Sequence, residues 1–179
     1  MTETLTASRA LHGVTVRPYR PSDHNACRAL WGELVEHRGA LYGTPPPAGS
    51  DPGAGFEEYL TQLNLSGMWV ADHDEMGVVA FVGLMLDGRS GQVDPVVVTE
   101  SMRGRGIGRA LLGKVADEAR LRGLHRLSVS PSVRDVAALH MLHASSFSTV
   151  ATVTLSYDLS GQAGPSAETL DLFGLRFGV

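Results

Sequence analysis

The chain has 179 residues, a formal net charge of −4, 43% hydrophobic residues and one cysteine, Cys27. That length suits a single domain with a real core. The mildly negative balance argues against a general nucleic-acid binder, and a lone cysteine excludes an internal disulfide framework and suits a reducing compartment.

Residues 1–12 read as a flexible leader. "MTETLTASRALHG" lacks the charged and apolar regions of a secretory signal. Val14–Tyr19 alternates as a strand does. Pro21 and Ser22 then start a helix whose face carries Ala26, Leu30, Leu34 and Val35. Cys27 lies within that pattern and reads as a buried structural thiol. The prolines and glycines of Ala40–Gly55 predict a loop, and "FEEYLTQLN" a short second helix.

Two apolar strands follow, "MWVADHD" and "GVVAFVGLMLDG", joined at "DEMG" in the manner of a hairpin. The longest apolar run, Val78–Leu86, is far too short to span a membrane. A soluble cytoplasmic protein with no membrane partner is expected. "GQVDPVVVTE" predicts another strand. Pro95 has no N–H for a ladder, which points to a bulge or edge there. After a glycine-rich loop, Leu111, Leu112, Val115, Ala116 and Ala119 share a helical stripe.

"LHRLSVSP" then reads as a strand, "VRDVAALHMLHAS" as a helix and "FSTVATVTLSYDL" as one or two final strands. Residues 160–179 open with linker composition and end in a strand-like arm. Exposing its large apolar residues would leave a sticky patch. The arm therefore packs across a homodimer interface or back on its own subunit. The order of elements predicts a mixed sheet with helices on its faces.

The chemistry is concentrated at "SMRGRGIGRALLGKVADEARLRG". Its glycines and arginines stand at the mouth of a helix, where unpaired N–H donors and a partial positive charge suit a phosphate. A P-loop needs Gly-Lys-Ser/Thr, but arginine and alanine follow Gly108. A dinucleotide fingerprint needs a third glycine, yet Arg109 stands three residues after Gly106 and Leu111 three after Gly108.

What remains is R-x-x-G-x-G, written Arg103-Gly104-Arg105-Gly106-Ile107-Gly108. It resembles the acyl-CoA pyrophosphate loop of the GNAT superfamily of N-acetyltransferases. A second segment, Asp135–Phe147, is similar to that family's N-x-x-A-x-x-x-Y-x-x-x-G-F. Ala138 and Phe147 match; Asp135 stands for the asparagine, Leu142 for the tyrosine and Ser146 for the glycine. The likeness in element order covers residues 14–158, and an acetyltransferase domain is expected over 13–159.

The resemblance implies an α/β (α+β) fold: a mixed, mostly antiparallel twisted sheet flanked by about four helices. It implies acetyl-CoA as co-substrate. Val96, Val97 and Val98 would pair with its pantetheine arm, the loop from Arg103 through Arg109 would hold its pyrophosphate, and Asp135 would be a further cofactor-binding residue. The first two helices and their loop would wall the acceptor, with Trp31, Glu33 and Tyr42 as contacts. The implied reaction is direct acetyl transfer to a primary amine of a small molecule or protein.

A lysine-like amine, with a pKa near ~10.4, is almost wholly protonated at neutral pH, so a general base is useful. Asp94, on the strand entering the loop, is the best-placed carboxylate, though it also suits an Asp-Pro turn. Glu33, Glu36 and Glu100 are further carboxylates that suit a solvated face. Leu142 cannot protonate the departing sulfur. A thiolate with a pKa near ~8.5 can take its proton from water instead.

No metal is expected. His140 and His143 lack a third ligand at suitable spacing, and Asp72–Glu75 sits where a hairpin turns. The alternative function is a non-catalytic acyl-CoA-binding sensor or interaction module on the same fold, which the missing asparagine and tyrosine keep open.

Overall fold

In the computed structural model, described for residues 11–63, 67–157, 159 and 168–179, the chain divides into two compact units after Ser130. The first unit is built on a five-stranded sheet. Its strands are β1 (Val14–Pro18), β2 (Met68–His73), β3 (Gly77–Asp87), β4 (Ser90–Val98) and β5 (Arg126–Ser128), lying side by side in chain order. The first three junctions are antiparallel and the last, β4 with β5, is parallel. The sheet is thus mixed and mostly antiparallel, as expected.

The hairpin forms where "DEMG" stands: His73 pairs with Gly77, whose φ of 70° is the left-handed geometry that glycine accepts cheaply. Helix α1 (His24–Tyr42) runs two residues past the predicted start of the loop and stops at Gly43, also left-handed at φ 66°. Helix α2 (Gly55–Gln62) is the short second helix, and α3 (Ile107–Leu121) follows the glycine loop.

Alternation decides which face each helix covers. Met68, Val70, Phe81 and Val97 point to one side of the sheet and bury Cys27 and Leu30 of α1 with Phe56 and Tyr59 of α2. Trp69, Ala71, Ala80 and Val82 alternate with them and point to the other side. There α3 packs across β1–β4 with its predicted stripe, of which Leu111, Leu112, Val115 and Ala119 are buried and Ala116 is half-buried. Cys27 is wholly buried, and that burial pushes its thiol up to about 12. It is a structural thiol, as its helical setting predicts.

At the β1 end, Arg17 forks onto the buried Asp23 at 2.7 and 2.9 Å and also reaches Asp72 at 2.9 Å. The hydrogen bonds from Arg17 hold the Asp23 carboxyl below the usual carboxylate range.

The second unit holds α4 (Val136–Ala144) and the hairpin β6 (Thr169–Leu172) with β7 (Leu175–Gly178). The C-terminal arm is therefore two short strands turning at Phe173-Gly174, and its linker, 160–167, lies outside the described residues, as do 1–10 of the leader. The strands expected within Phe147–Tyr157 do not form, and 148–157 is exposed throughout. Alternation alone does not make a strand there. Strand propensity is realised through cross-strand partners and one buried face, and this stretch has no ladder.

Candidate functional site: an open strand beside a helix N-terminus

Strand β4 changes character halfway along. Ser90–Gln92 is bonded to β3 on one side and to Arg126–Ser128 of β5 on the other. The β5 ladder ends at Gln92, so from Val93 to Val98 the strand is paired, among the described residues, with β3 alone. One row of its backbone groups is left facing the gap. An extended amide chain could add itself there by strand pairing.

A bulge sits where the open stretch begins. The register passes from Val82↔Val96 to Leu84↔Val93, setting Asp94 and Pro95 against the single Gly83, and the Asp94–Pro95 peptide is cis. The bulged carbonyl of Asp94 accepts a hydrogen bond from the Tyr59 hydroxyl at 2.8 Å. Burial pushes the Tyr59 phenol above its ordinary pKa, so it remains a protonated donor. A Cβ on Gly83 would lie 1.7 Å from the Tyr59 oxygen and 2.7 Å from that of Asp94. Glycine is therefore required here by close approach. A glycine inside an apolar strand is the one local sign that could have found this contact.

Beyond β4 the chain makes a 3-10 turn, Glu100–Met102, with Met102 buried. Arg103 donates from Nε to the Val98 carbonyl at 3.0 Å. Gly104 and Gly106 follow with φ of 74° and 88°, and α3 begins at Ile107. Ala110 is the first residue to bond back into the helix, to the Gly106 carbonyl at 3.1 Å. The helical pattern gives the N–H groups of Ile107, Gly108 and Arg109 no acceptor within the helix. Arg103, Arg105 and Arg109 are exposed around them. Three N–H groups without helical acceptors, a helix dipole and three guanidiniums are the elements that suit a diphosphate. The residues present fit CoA: an open strand for its amides, then this loop for its pyrophosphate.

The expected acceptor residues are placed less openly. Trp31 belongs to an aromatic cluster, its ring 4.8 Å from Tyr59 and 6.0 Å from Phe56. Both oxygens of Glu33 are engaged, Oε1 by the Thr99 hydroxyl at 2.9 Å and Oε2 by the Glu100 N–H at 3.2 Å. Tyr42 closes α1 and is half exposed. The Asp94 carboxylate lies 3.5 Å from Arg38 of α1, a residue the sequence did not single out, with both side chains about half exposed.

The loop between α1 and α2 is pinned at Asp51, which pairs with Arg28 and caps the Gly53 N–H at 2.9 Å. Arg28 also holds Glu57 of α2 at 2.9 Å. A groove of about 360 Å³ lies between Glu36 and Ala40 of α1 and the prolines of that loop. In the second unit, Asp135 caps α4 by accepting from the Ala138 N–H at 2.9 Å, and Leu142 is buried. His140 and His143 are exposed on α4. Among the described residues no three His, Cys, Asp or Glu side chains group as metal ligands, and no helix is long and apolar enough to cross a membrane.

Comparison with known proteins agrees with this fold. Among solved structures, an acetyltransferase from Trypanosoma brucei is similar at 21% identity, covering 82% of this chain and 99% of that one, with a TM-score of 0.56. Glucosamine-6-phosphate N-acetyltransferase from Arabidopsis thaliana is similar at 16% identity, covering 82% and 98%, with a TM-score of 0.56. Rv2747 from Mycobacterium tuberculosis, solved in complex with CoA and NLQ, is similar at 25% identity over 70% and 69% of the two chains, with a TM-score of 0.51. No curated protein sequence matches. The model of the acetyltransferase (GNAT) family matches residues 32–147, a stretch that holds the bulge, the open strand and the glycine loop. The chain belongs to the GNAT acetyltransferase family.

Proposed function

We propose that the protein is an acetyl-CoA-dependent N-acetyltransferase that moves the acetyl group directly to a primary amine of a small molecule or protein. The observation that carries this reading is the continuity of the unpaired half of β4 with the Arg103–Gly108 loop and the start of α3. The M. tuberculosis neighbour was solved with CoA, and the Arabidopsis neighbour is named for an amino-sugar acceptor.

In this reaction the amine lone pair attacks the thioester carbonyl carbon. The C–N bond forms as the C–S bond breaks, and the thiolate leaves. Asp94 or a water takes the amine proton, and water protonates the thiolate, whose pKa near ~8.5 makes it a tolerable leaving group. Backbone donors along Val96–Val98 would hold the pantetheine arm, and the α3 N-terminus would neutralise the pyrophosphate.

Two observations favour a second reading, an acyl-CoA-binding module without turnover. Arg38 pairs with Asp94, and Leu142 stands where the family has tyrosine. Thiol release from acetyl-CoA across a panel of amines separates the two. Amine-dependent release is expected, together with a loss of acetyl-CoA affinity in Gly106→Asp, which sets bulk and negative charge against the pyrophosphate. Tight binding without release selects the module. Unchanged affinity in Gly106→Asp removes the loop assignment.

A further inference from the structure

The glycine loop has little to hold it in place. Among the described residues no atom lies within 4 Å of where a Cβ of Gly104 would stand, only Leu11, at 3.5 Å, approaches that of Gly106, and residues 103–106 are all exposed. Its position is set by its flanks. Downstream, Ile107 is buried at the start of α3; upstream, Met102 is buried and Thr99 donates its N–H to Val79 at 2.9 Å. Arg103 ties the turn to β4 through the Val98 carbonyl, and the Thr99 hydroxyl and the Glu100 N–H tie it to α1, both accepted by Glu33.

We propose that Glu33 is a positioning residue whose carboxylate clamps the Thr99–Arg103 turn to α1, so that the acceptor-side helix sets the pose of the pyrophosphate loop. This rests on the acetyl-CoA reading above. Each Glu33 oxygen already accepts a hydrogen bond, and protonating the carboxylate would weaken both. Five residues further along α1, Arg38 meets Asp94 at the other end of the open stretch. That pair is half exposed and contributes little; hydrogen bonds to a charged acceptor are stronger. Of these two polar ties, the one from Glu33 to the turn after β4 is the firmer. Filling the loop then stiffens α1, and a well-held α1 pre-forms the loop.

The test measures CoA binding by calorimetry and amide hydrogen exchange in wild type, Glu33→Ala, Glu33→Gln and Thr99→Val. Glu33→Ala is expected to bind CoA about tenfold more weakly, because a charge-assisted pair of bonds is lost. Glu33→Gln keeps affinity within about threefold, since its carbonyl accepts from Glu100 while its NH₂ donates to the Thr99 oxygen. Thr99→Val weakens binding less than Glu33→Ala, and combining the two adds nothing to Glu33→Ala.

In wild type, CoA raises exchange protection at the start of α3 and over residues 34–41 of α1. In Glu33→Ala only the α3 effect persists. Wild-type affinity in Glu33→Ala, or a Gln variant as weak as the Ala variant, overturns the clamp. If Glu33→Ala does not fold, unchanged affinity in Thr99→Val overturns it instead. A wild-type protein that fails to bind CoA defeats the acetyl-CoA reading itself, an outcome distinct from these.

Discussion

Among the described residues the sheet has unpaired backbone at β1, along the second half of β4 and on the outer side of β5, and the first two are finished in opposite ways. β1 is five residues long and ends in Arg17 and Pro18. Its arginine is committed to Asp23 and Asp72, and its proline has no N–H to offer. Such an edge is a poor template for another strand. The open stretch of β4 carries three consecutive valines and is flanked by a helix N-terminus. One edge is finished against partners; the other is left for one. Where a short chain leaves an apolar edge unguarded next to an anion receptor, that edge is the place to look for a ligand.

The largest effect should come from the guarded edge. Asp23→Asn removes the partner of a largely buried arginine and should cost about 3 kcal/mol or more in urea unfolding. CoA affinity should not change. The carboxyl of Asp23 is depressed in the folded state. Its contribution is therefore fully present above the unfolded pKa near ~3.9 and is lost as pH falls through the lower folded value. Wild type should shed stability in that acid window while Asp23→Asn stays comparatively flat. Equal acid losses in both proteins would break the account of this edge.

Gly83→Ala addresses the open edge. The added methyl cannot coexist with the Tyr59 hydroxyl, so about 1–3 kcal/mol of stability should go, and CoA binding should weaken with it. Adding Tyr59→Phe removes the clashing oxygen and should recover part of the stability loss. Simple additivity of the two changes would show that Gly83 and Tyr59 do not meet as described.

The smallest effect is expected at Arg38→Met. Its ion pair with Asp94 is half exposed, so thermal unfolding should register less than about 1 kcal/mol. A larger loss would mean that the open stretch is braced from α1 more firmly than Glu33 alone provides.

The parts of this site that were legible in the sequence are those made of backbone. Gly104 and Gly106 are demanded locally by left-handed turns, and Pro95 announces a bulge by lacking a donor. Both signals lie within a few residues of their effect. Tyr59 meets Asp94 across 35 positions and Glu33 meets Thr99 across 66. No local pattern encodes such meetings, so Glu33 reads from sequence as a solvated or acceptor-facing carboxylate. The same limit explains 147–157, whose alternation states a preference that only a neighbouring strand can satisfy.

Cys27 has a practical consequence for any assay of the reaction. Its thiol is sealed in the core and pushed up to about 12, so almost none of it is thiolate at neutral pH. A thiol-reactive dye added to native protein therefore reports liberated CoA with no contribution from the enzyme. In denaturant the same sulfur becomes reactive, and since the chain has one cysteine, each molecule that opens takes up one dye. The reagent that counts turnovers can then also serve as a clock for global opening.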